Sequence, residues 1–250
     1  CISAYVGADL VTSLLASDIW GKTGIRMLVD IGTNGEMVLQ KEDGCIVCSV
    51  AAGPAFEGAG ISCGMQGKCG AVDRVVLRNG QLVPHVIGEK EAVGICGSGV
   101  VDGIACLLDA GQIEESGCLE IDPISILPSV ALTQKDIRMI QLAKSAVHAG
   151  ILTLLHVAGI SCEAVDELCV AGGFGSYLNV ENAGRIGLLP AELVQKVRCI
   201  GNAALSGAAS ILLHQEYRST CRMYADSARL VELSNDPFFG EAYIENMLFS

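Results

Sequence analysis

The residue types best suited to chemistry are concentrated in one string, Asp30-Ile31-Gly32-Thr33-Asn34-Gly35-Glu36. An apolar run, Met27-Leu28-Val29, ends in the Asp30 carboxylate, a hard oxygen ligand of the kind magnesium takes. Gly32 and Gly35 permit the main chain to approach phosphate oxygens closely, and Thr33 and Asn34 add donors. An ordinary Asn-Gly hairpin would carry the same residues, so the string alone leaves both readings open. A second string, Ala171-Gly172-Gly173-Phe174-Gly175-Ser176, follows another apolar run. Its glycines would let a flat adenine or ribose lie on the backbone, but a plain strand-to-helix turn also uses them. Gly97-Ser98-Gly99 stands where a helix should begin, which suits either an anion at the helix amino terminus or close helix packing. Gly201-Asn202-Ala203-Ala204-Leu205-Ser206-Gly207-Ala208 opens another helix with small residues, and small residues let a second helix come near. No Gly-x4-Gly-Lys-Ser/Thr loop occurs, and no Gly-x-Gly-x-x-Gly opens a helix after the first strand.

The elements that must position these residues follow from periodicity and turn chemistry. Three antiparallel strands are expected, ending at Asp30, running from Met37 to Gln40 and from Cys45 to Val50, with turns at Asn34-Gly35 and Asp43-Gly44. Ala51 to Gly58 reads as a loop opening a short helix with an early proline. Residues 72–78 and 81–87 form a hairpin about Asn79-Gly80, and Val100 to Leu108 a helix stopped near Gly111. Residues 117–132 are irregular, an insertion or a weakly paired strand. Thr133-Gln134-Lys135-Asp136 has the pattern of a capping box, and Ile137, Ile140, Lys144, Val147, Ile151, Leu154 and Leu155 continue at helical spacing to Gly159. Then come a strand over 166–171, a short helical piece over 181–187, a core strand over 197–200 and a helix over 203–215. This order predicts an α/β fold with a mixed five-stranded sheet flanked by helices. If the Asp30 and Gly172 strings face one nucleotide, the two residues share one edge of that sheet.

Composition narrows the function. Hydrophobic residues make up 51% and charged residues 18%, which excludes a disordered chain. Sixteen basic against 28 acidic residues give a net charge of −12, the wrong sign for a general nucleic-acid binder. The first residues lack the basic-then-apolar pattern of a signal peptide. The apolar region from 146 to 160 contains His148 and His156 and falls short of the roughly 18–20 clean apolar residues of a membrane span. The 12 cysteines are scattered through apolar runs, as reduced thiols acting as small hydrophobes in a reducing, even anaerobic, cytoplasm. Cys45 and Cys48 are close in sequence, but three residues apart on a strand they point to opposite faces, a poor start for a metal site.

In order, Asp-x-Gly-Thr, a Gly-Gly-x-Gly after a strand and a small-residue helix resemble the phosphate, adenosine and connecting-helix sequence of the actin, sugar-kinase and heat-shock-chaperone superfamily. Longer strings are similar to one branch, the carboxy-terminal domain of the reductive activators of corrinoid proteins. They are Tyr5-Val6-Gly7-Ala8-Asp9, Asp30 to Glu36, Ala51-Ala52-Gly53-Pro54-Ala55-Phe56-Glu57-Gly58, Gly94 to Gly99, Leu132 to Arg138, Ala171 to Gly175 and Ile186-Gly187-Leu188-Leu189-Pro190. The resemblance implies a ribonuclease-H-like lobe over 1–250, the second of a two-lobed ATPase, with an inserted hairpin region at about 51–132. It implies ATP with Mg²⁺, Asp30 as the catalytic metal-binding carboxylate, Gly32, Thr33, Asn34 and Gly35 at the phosphates, and Gly172, Gly173 and Phe174 at the adenosine. Gly97 and Ser98 would be a further anion contact. A [2Fe–2S] cluster in an amino-terminal ferredoxin-like module would pass an electron to an inactive Co(II) corrinoid protein, restoring Co(I). Neither the cluster cysteines nor the first lobe is matched in these residues, so hydrolysis is expected of the full-length protein only. A second copy of the chain is a further candidate partner. Ala51 to Gly58 also resembles, more loosely, a loop of 2-hydroxyacyl-CoA dehydratase activators, which bridge a [4Fe–4S] cluster. A non-hydrolysing module that docks a corrinoid protein, or a sugar or carboxylate kinase, are the remaining alternatives.

Overall fold

A computed structural model describes residues 2–3, 6–42, 44–173 and 177–249. Its centre is a mixed six-stranded sheet whose strands run, from edge to edge, β10 (Val197–Gly201), β9 (Glu167–Ala171), β1 (Arg26–Ile31), β2 (Gly35–Lys41), β3 (Gly44–Val50) and β11 (Ala228–Leu230). Three consecutive strands, β1, β2 and β3, are antiparallel neighbours, as the turn residues lead one to expect. The first turn is Gly32 to Asn34, and Gly35 is already the first residue of β2, opposite Ile31. A side chain at Gly35 would run into Val50, its Cβ 2.7 Å from Val50 Cγ2.

β9 (Glu167–Ala171) and β10 (Val197–Gly201) extend the sheet in parallel on one side. Asp30 stands opposite Ala171, so Asp30 and Gly172 share the carboxyl edge of the sheet. Two expectations need correction. β10 lies at the sheet edge with Arg198 and Cys199 exposed, so it is not a core strand. The sixth strand, β11 (Ala228–Leu230), pairs in parallel with β3 after the helix α6 (Tyr217–Ser227). Three residues with an arginine in the middle carry no strand period, which is why five strands were expected.

Each face of the sheet is closed by helices. α3 (Gln134–Ala158) covers one face, begun by the full Thr133–Asp136 capping box and ended at Gly159 in the left-handed region. All seven positions of its expected core stripe, including Lys144, are buried. α3 is the one described helix long and apolar enough to cross a membrane, and it is mostly buried inside the fold. The Lys144 ammonium lies 5.3 Å from the ring centroid of Phe249 and donates to the Leu248 carbonyl, fixing the segment after α7 (Pro237–Glu245). Burial pushes its pKa down to about 8.

The other face is covered by α1 (Ala8–Ser17), against which α5 (Ala203–Leu213) packs. A Cβ at Gly207 would sit 2.0 Å from the Thr12 carbonyl oxygen, so the small-residue start of α5 serves close helix contact. Between β3 and α3 lie a second sheet, β5-β4-β6 (Gln81–Val86, Ala71–Arg78, Gly94–Ile95), the helix α2 (Gly97–Asp109) and the hairpin β7–β8 (Ile124–Leu127, Val130–Leu132). Residues 117–132 thus hold a paired hairpin, the paired-strand form of the two expected for them.

Cys45 and Cys48 fall in different core clusters on opposite faces of β3. The 11 described cysteines are free, five of them buried, and burial pushes the thiols of Cys45 and Cys169 up to about 11.

Candidate functional site

Strand alternation decides which way each residue of the first hairpin faces. Met27, Val29, Ile31, Met37 and Leu39 turn toward α3, while Leu28 and Val38 turn toward α1. Asp30 and Glu36 are cross-strand partners with the parity of Leu28 and Val38, so both meet α1. Ser13 Oγ donates to Asp30 Oδ2 at 2.6 Å, and the Gly7 amide donates to Glu36 Oε1 at 3.1 Å. Burial raises the Asp30 pKa; the Ser13 hydrogen bond opposes this and the nearby Asp9 carboxylate adds to it. Glu36, 8% exposed, is pushed up to about 7, first by burial and then by Asp9 and Asp30, against the Gly7 amide. Two sequestered carboxylates close to a third make a place that favours a proton or a cation.

On the opposite face of the same turn is a cavity of about 330 Å³, walled by Ile31, Glu57, Gln66, Gly97, Gly173 and Tyr177 among others. It lies at the carboxyl edge of the parallel strands, where open α/β sheets take ligands, and its volume is within the range of small-molecule sites. The turn joins the two halves. Thr33 Oγ1 donates to Glu57 Oε2 at 2.9 Å, the Gly53 amide donates to the Thr33 carbonyl at 2.8 Å, and the Gly32 amide donates to the Asn34 carbonyl at 3.1 Å. Thr33 and Asn34 are exposed between the carboxylates and the cavity.

The glycines divide into two kinds. A Cβ at Gly172, at φ +119, would lie 2.2 Å from the Ile31 carbonyl oxygen, and one at Gly97 2.0 Å from the Phe56 carbonyl oxygen. These two bring the β9 turn and the start of α2 against neighbouring backbone. Gly173 has no atom within 4 Å of a Cβ position and opens on the cavity. Ser98 also lines the cavity, but its hydroxyl donates to the Asp73 carbonyl at 2.8 Å. Phe174 lies outside the described residues. The structure thus groups Gly97, Ser98 and Gly173 at the cavity, Thr33 and Asn34 at the turn, and Asp30 on the α1 side.

Sequence reasoning gave no role to Glu36, Asp9, Ser13, Glu57, Gln66 or Tyr177. Asp9 and Ser13 are four residues apart and so neighbours on α1, a helix absent from the elements expected from the sequence. Glu36 follows from Asp30 once the hairpin register is known. Glu57 ends the short 3₁₀ helix Pro54–Glu57, within the segment read as a loop opening a short helix, and Gln66 comes from a loop whose placement no period announces.

Among the described residues no three His, Cys, Asp or Glu side chains are grouped to hold a metal ion by themselves. The carboxylates suit magnesium of the kind that keeps waters and arrives with a phosphate ligand, since such an ion takes only one or two protein carboxylates.

Residues 24–250 match the family model described as the C-terminal domain of RACo, the ASKHA domain. The chain is 36% identical to the corrinoid activation enzyme RamQ of Eubacterium limosum, over 99% of this chain and 46% of that protein. It is 32% identical to a [Co(II) methylated amine-specific corrinoid protein] reductase of Methanosarcina barkeri, over 86% of this chain and 44% of that protein. A solved structure of a reductive activator for corrinoid, iron-sulfur protein superposes with a TM-score of 0.92 at 33% identity, covering 99% of this chain and 43% of its own. The chain therefore spans less than half the length of these relatives. It has their ribonuclease-H-like α/β fold, and it belongs to the family of C-terminal ASKHA domains of the reductive activators of corrinoid proteins.

Proposed function

We propose that this chain is the second nucleotide-binding lobe of a two-lobed ATPase, with the region at about 51–132 inserted in it. In the full-length protein it would couple ATP hydrolysis to reduction of a Co(II) corrinoid protein. The observation that carries this reading is that one exposed turn, Gly32 to Asn34, separates the Asp30–Glu36 carboxylates from the cavity bearing Gly173. A nucleoside would lie in the cavity against Gly173 and Tyr177, its phosphates along the turn, and its magnesium at Asp30.

Asp30 has the central part, with Glu36 beside it to share the positive charge. When bound there, magnesium would supply neutralisation of charge developing on the phosphoryl oxygens. The Thr33 hydroxyl is committed to Glu57, so the donors left for the same oxygens would be the Thr33 main-chain amide and the amides of exposed Asn34, on a turn already fixed by Glu57 and Gly53 with little reorganisation needed. Gly97 and Ser98 shape the cavity wall, the Ser98 hydroxyl being committed to Asp73. The electron would come from a [2Fe–2S] cluster in a ferredoxin-like module outside this chain, one electron converting Co(II) to Co(I). The surroundings are a reducing, anaerobic cytoplasm, and a homodimer is compatible with this role.

The isolated chain should bind Mg-ATP weakly and hydrolyse it negligibly, because loss of the other lobe removes positioning worth ~7 kcal/mol or more of the barrier. The test is ATP-dependent Co(II) reduction by the full-length protein and its Asp30→Ala variant, with hydrolysis by the isolated chain measured alongside. Loss of reduction in the variant is expected. Wild-type reduction in the variant, or brisk hydrolysis by the chain alone, would contradict the reading. Nucleotide binding without any turnover would instead favour a docking module.

A further inference from the structure

Two serines on α1 share one burial and differ in partner. Ser13 and Ser17 are each 0% exposed. Ser17 turns back on its own helix and donates to the Leu14 carbonyl at 2.8 Å, a bond available in any helix. Ser13 leaves the helix and donates to Asp30 Oδ2 at 2.6 Å, short and charge-assisted. Burial alone would be served by a methyl group, so the Ser13 hydroxyl is accounted for by its bond to the carboxylate.

We propose that Ser13 is a positioning residue of the nucleotide site: its hydroxyl sets the orientation of the Asp30 carboxylate and ties metal–nucleotide binding to the placement of α1. The inference rests on the reading of Asp30 as the metal-binding carboxylate of an ATP site. Ser13 engages one oxygen of Asp30, and a carboxylate has a second oxygen to offer a cation. α1 is anchored on both sides of this bond. The Gly7 amide holds Glu36 at its amino end, and the Thr12 carbonyl, one residue before Ser13, receives Gly207 of α5 in backbone contact. A displacement of α5 against α1 therefore reaches Asp30 through adjacent residues. Outer-shell partners of metal ligands commonly change metal affinity by roughly 10–100-fold when removed.

The experiment uses the full-length protein and its Ser13→Ala, Ser17→Ala and Asp30→Asn variants. Binding of ADP is measured by calorimetry over a range of magnesium concentrations, with melting temperature recorded for each protein. Ser13→Ala should raise the magnesium concentration for half-maximal binding by roughly tenfold. Ser17→Ala, an equal truncation at equal burial, should leave it within about twofold while lowering the melting temperature by a similar amount. Ser13→Cys keeps a weaker donor in nearly the same volume, should fall between, and serves if the alanine variant does not fold. If Ser13→Ala and Ser17→Ala have the same magnesium requirement while Asp30→Asn loses binding, Ser13 is only packing and the inference is overturned. If Asp30→Asn itself keeps the wild-type requirement, the site reading fails first.

Discussion

The two faces of the β1–β2 hairpin are made from alternate residues of the same 16 positions, yet they do different work. Toward α3 the hairpin shows Met27, Val29, Ile31, Met37 and Leu39, all apolar and all buried. Toward α1 it is apolar only in the middle, at Leu28 and Val38. At the amino end of that face Arg26 sits opposite Gln40 and pairs with Glu167 at 3.1 Å, where Arg198 joins the same carboxylate. At the carboxyl end Asp30 and Glu36 receive hydrogen bonds from a neutral hydroxyl and a neutral amide. The carboxylate at one end is met by two guanidinium groups, and those at the other only by neutral donors. Stability is thus placed on one face of the sheet, and electrostatic demand at one end of the other.

The contrast can be broken from either side. Met37→Ala removes a fully buried side chain from the α3 face and should cost about 2–5 kcal/mol, read by chemical denaturation. Magnesium–nucleotide affinity of the protein that remains folded should be unchanged. Next in size is a pH effect on the same face. Burial lowers the His148 pKa from 6.5 to about 4, with Lys144 adding to the fall and the Gly187 carbonyl and Glu192 opposing it. Between those values the unfolded chain binds the extra proton and the native protein does not. Stability should therefore fall by up to roughly 3 kcal/mol as pH drops from 6.5 to 4. His148→Gln should flatten that slope in thermal melts at stepped pH, and an unchanged slope would assign it elsewhere. Gly207→Ala tests the α1 face, where its Cβ would press on the Thr12 carbonyl. Overpacking there should cost about 1–3 kcal/mol and, unlike Met37→Ala, should also weaken nucleotide binding.

How much of this the sequence revealed depended on the range of the forces involved. The capping box, the α3 stripe and the three antiparallel strands were legible because each rests on local spacing. That a turn follows Ile31 was legible, but its place was not: the turn expected at Asn34-Gly35 lies at Gly32 to Asn34, and Gly35 is held in β2 against Val50, a contact on a neighbouring strand. Asp30 could be named as a ligand, but its partner Ser13 is 17 residues away and only the crossing of α1 brings them together. The wall formed by Glu57 and Gln66 depends on a single short helical turn and a loop, neither long enough to carry a period. β11 was missed because pairing with β3, not its own three residues, makes it a strand. Of the double glycine, packing claims Gly172 and the cavity claims Gly173, a division visible only once Ile31 is in place.

The most direct test of this division of labour is one substitution with two readouts in the full-length protein. Asp30→Ala is followed by calorimetric titration with Mg-ADP and by thermal denaturation. A carboxylate whose burial raises its pKa contributes little to folding, so the melting temperature should move by only a few degrees, about 1 kcal/mol or less. Affinity for the magnesium nucleotide should fall by about a hundredfold or more. Wild-type affinity without the Asp30 carboxylate would contradict the account, because the negative end of the α1 face would then have no part in holding the nucleotide.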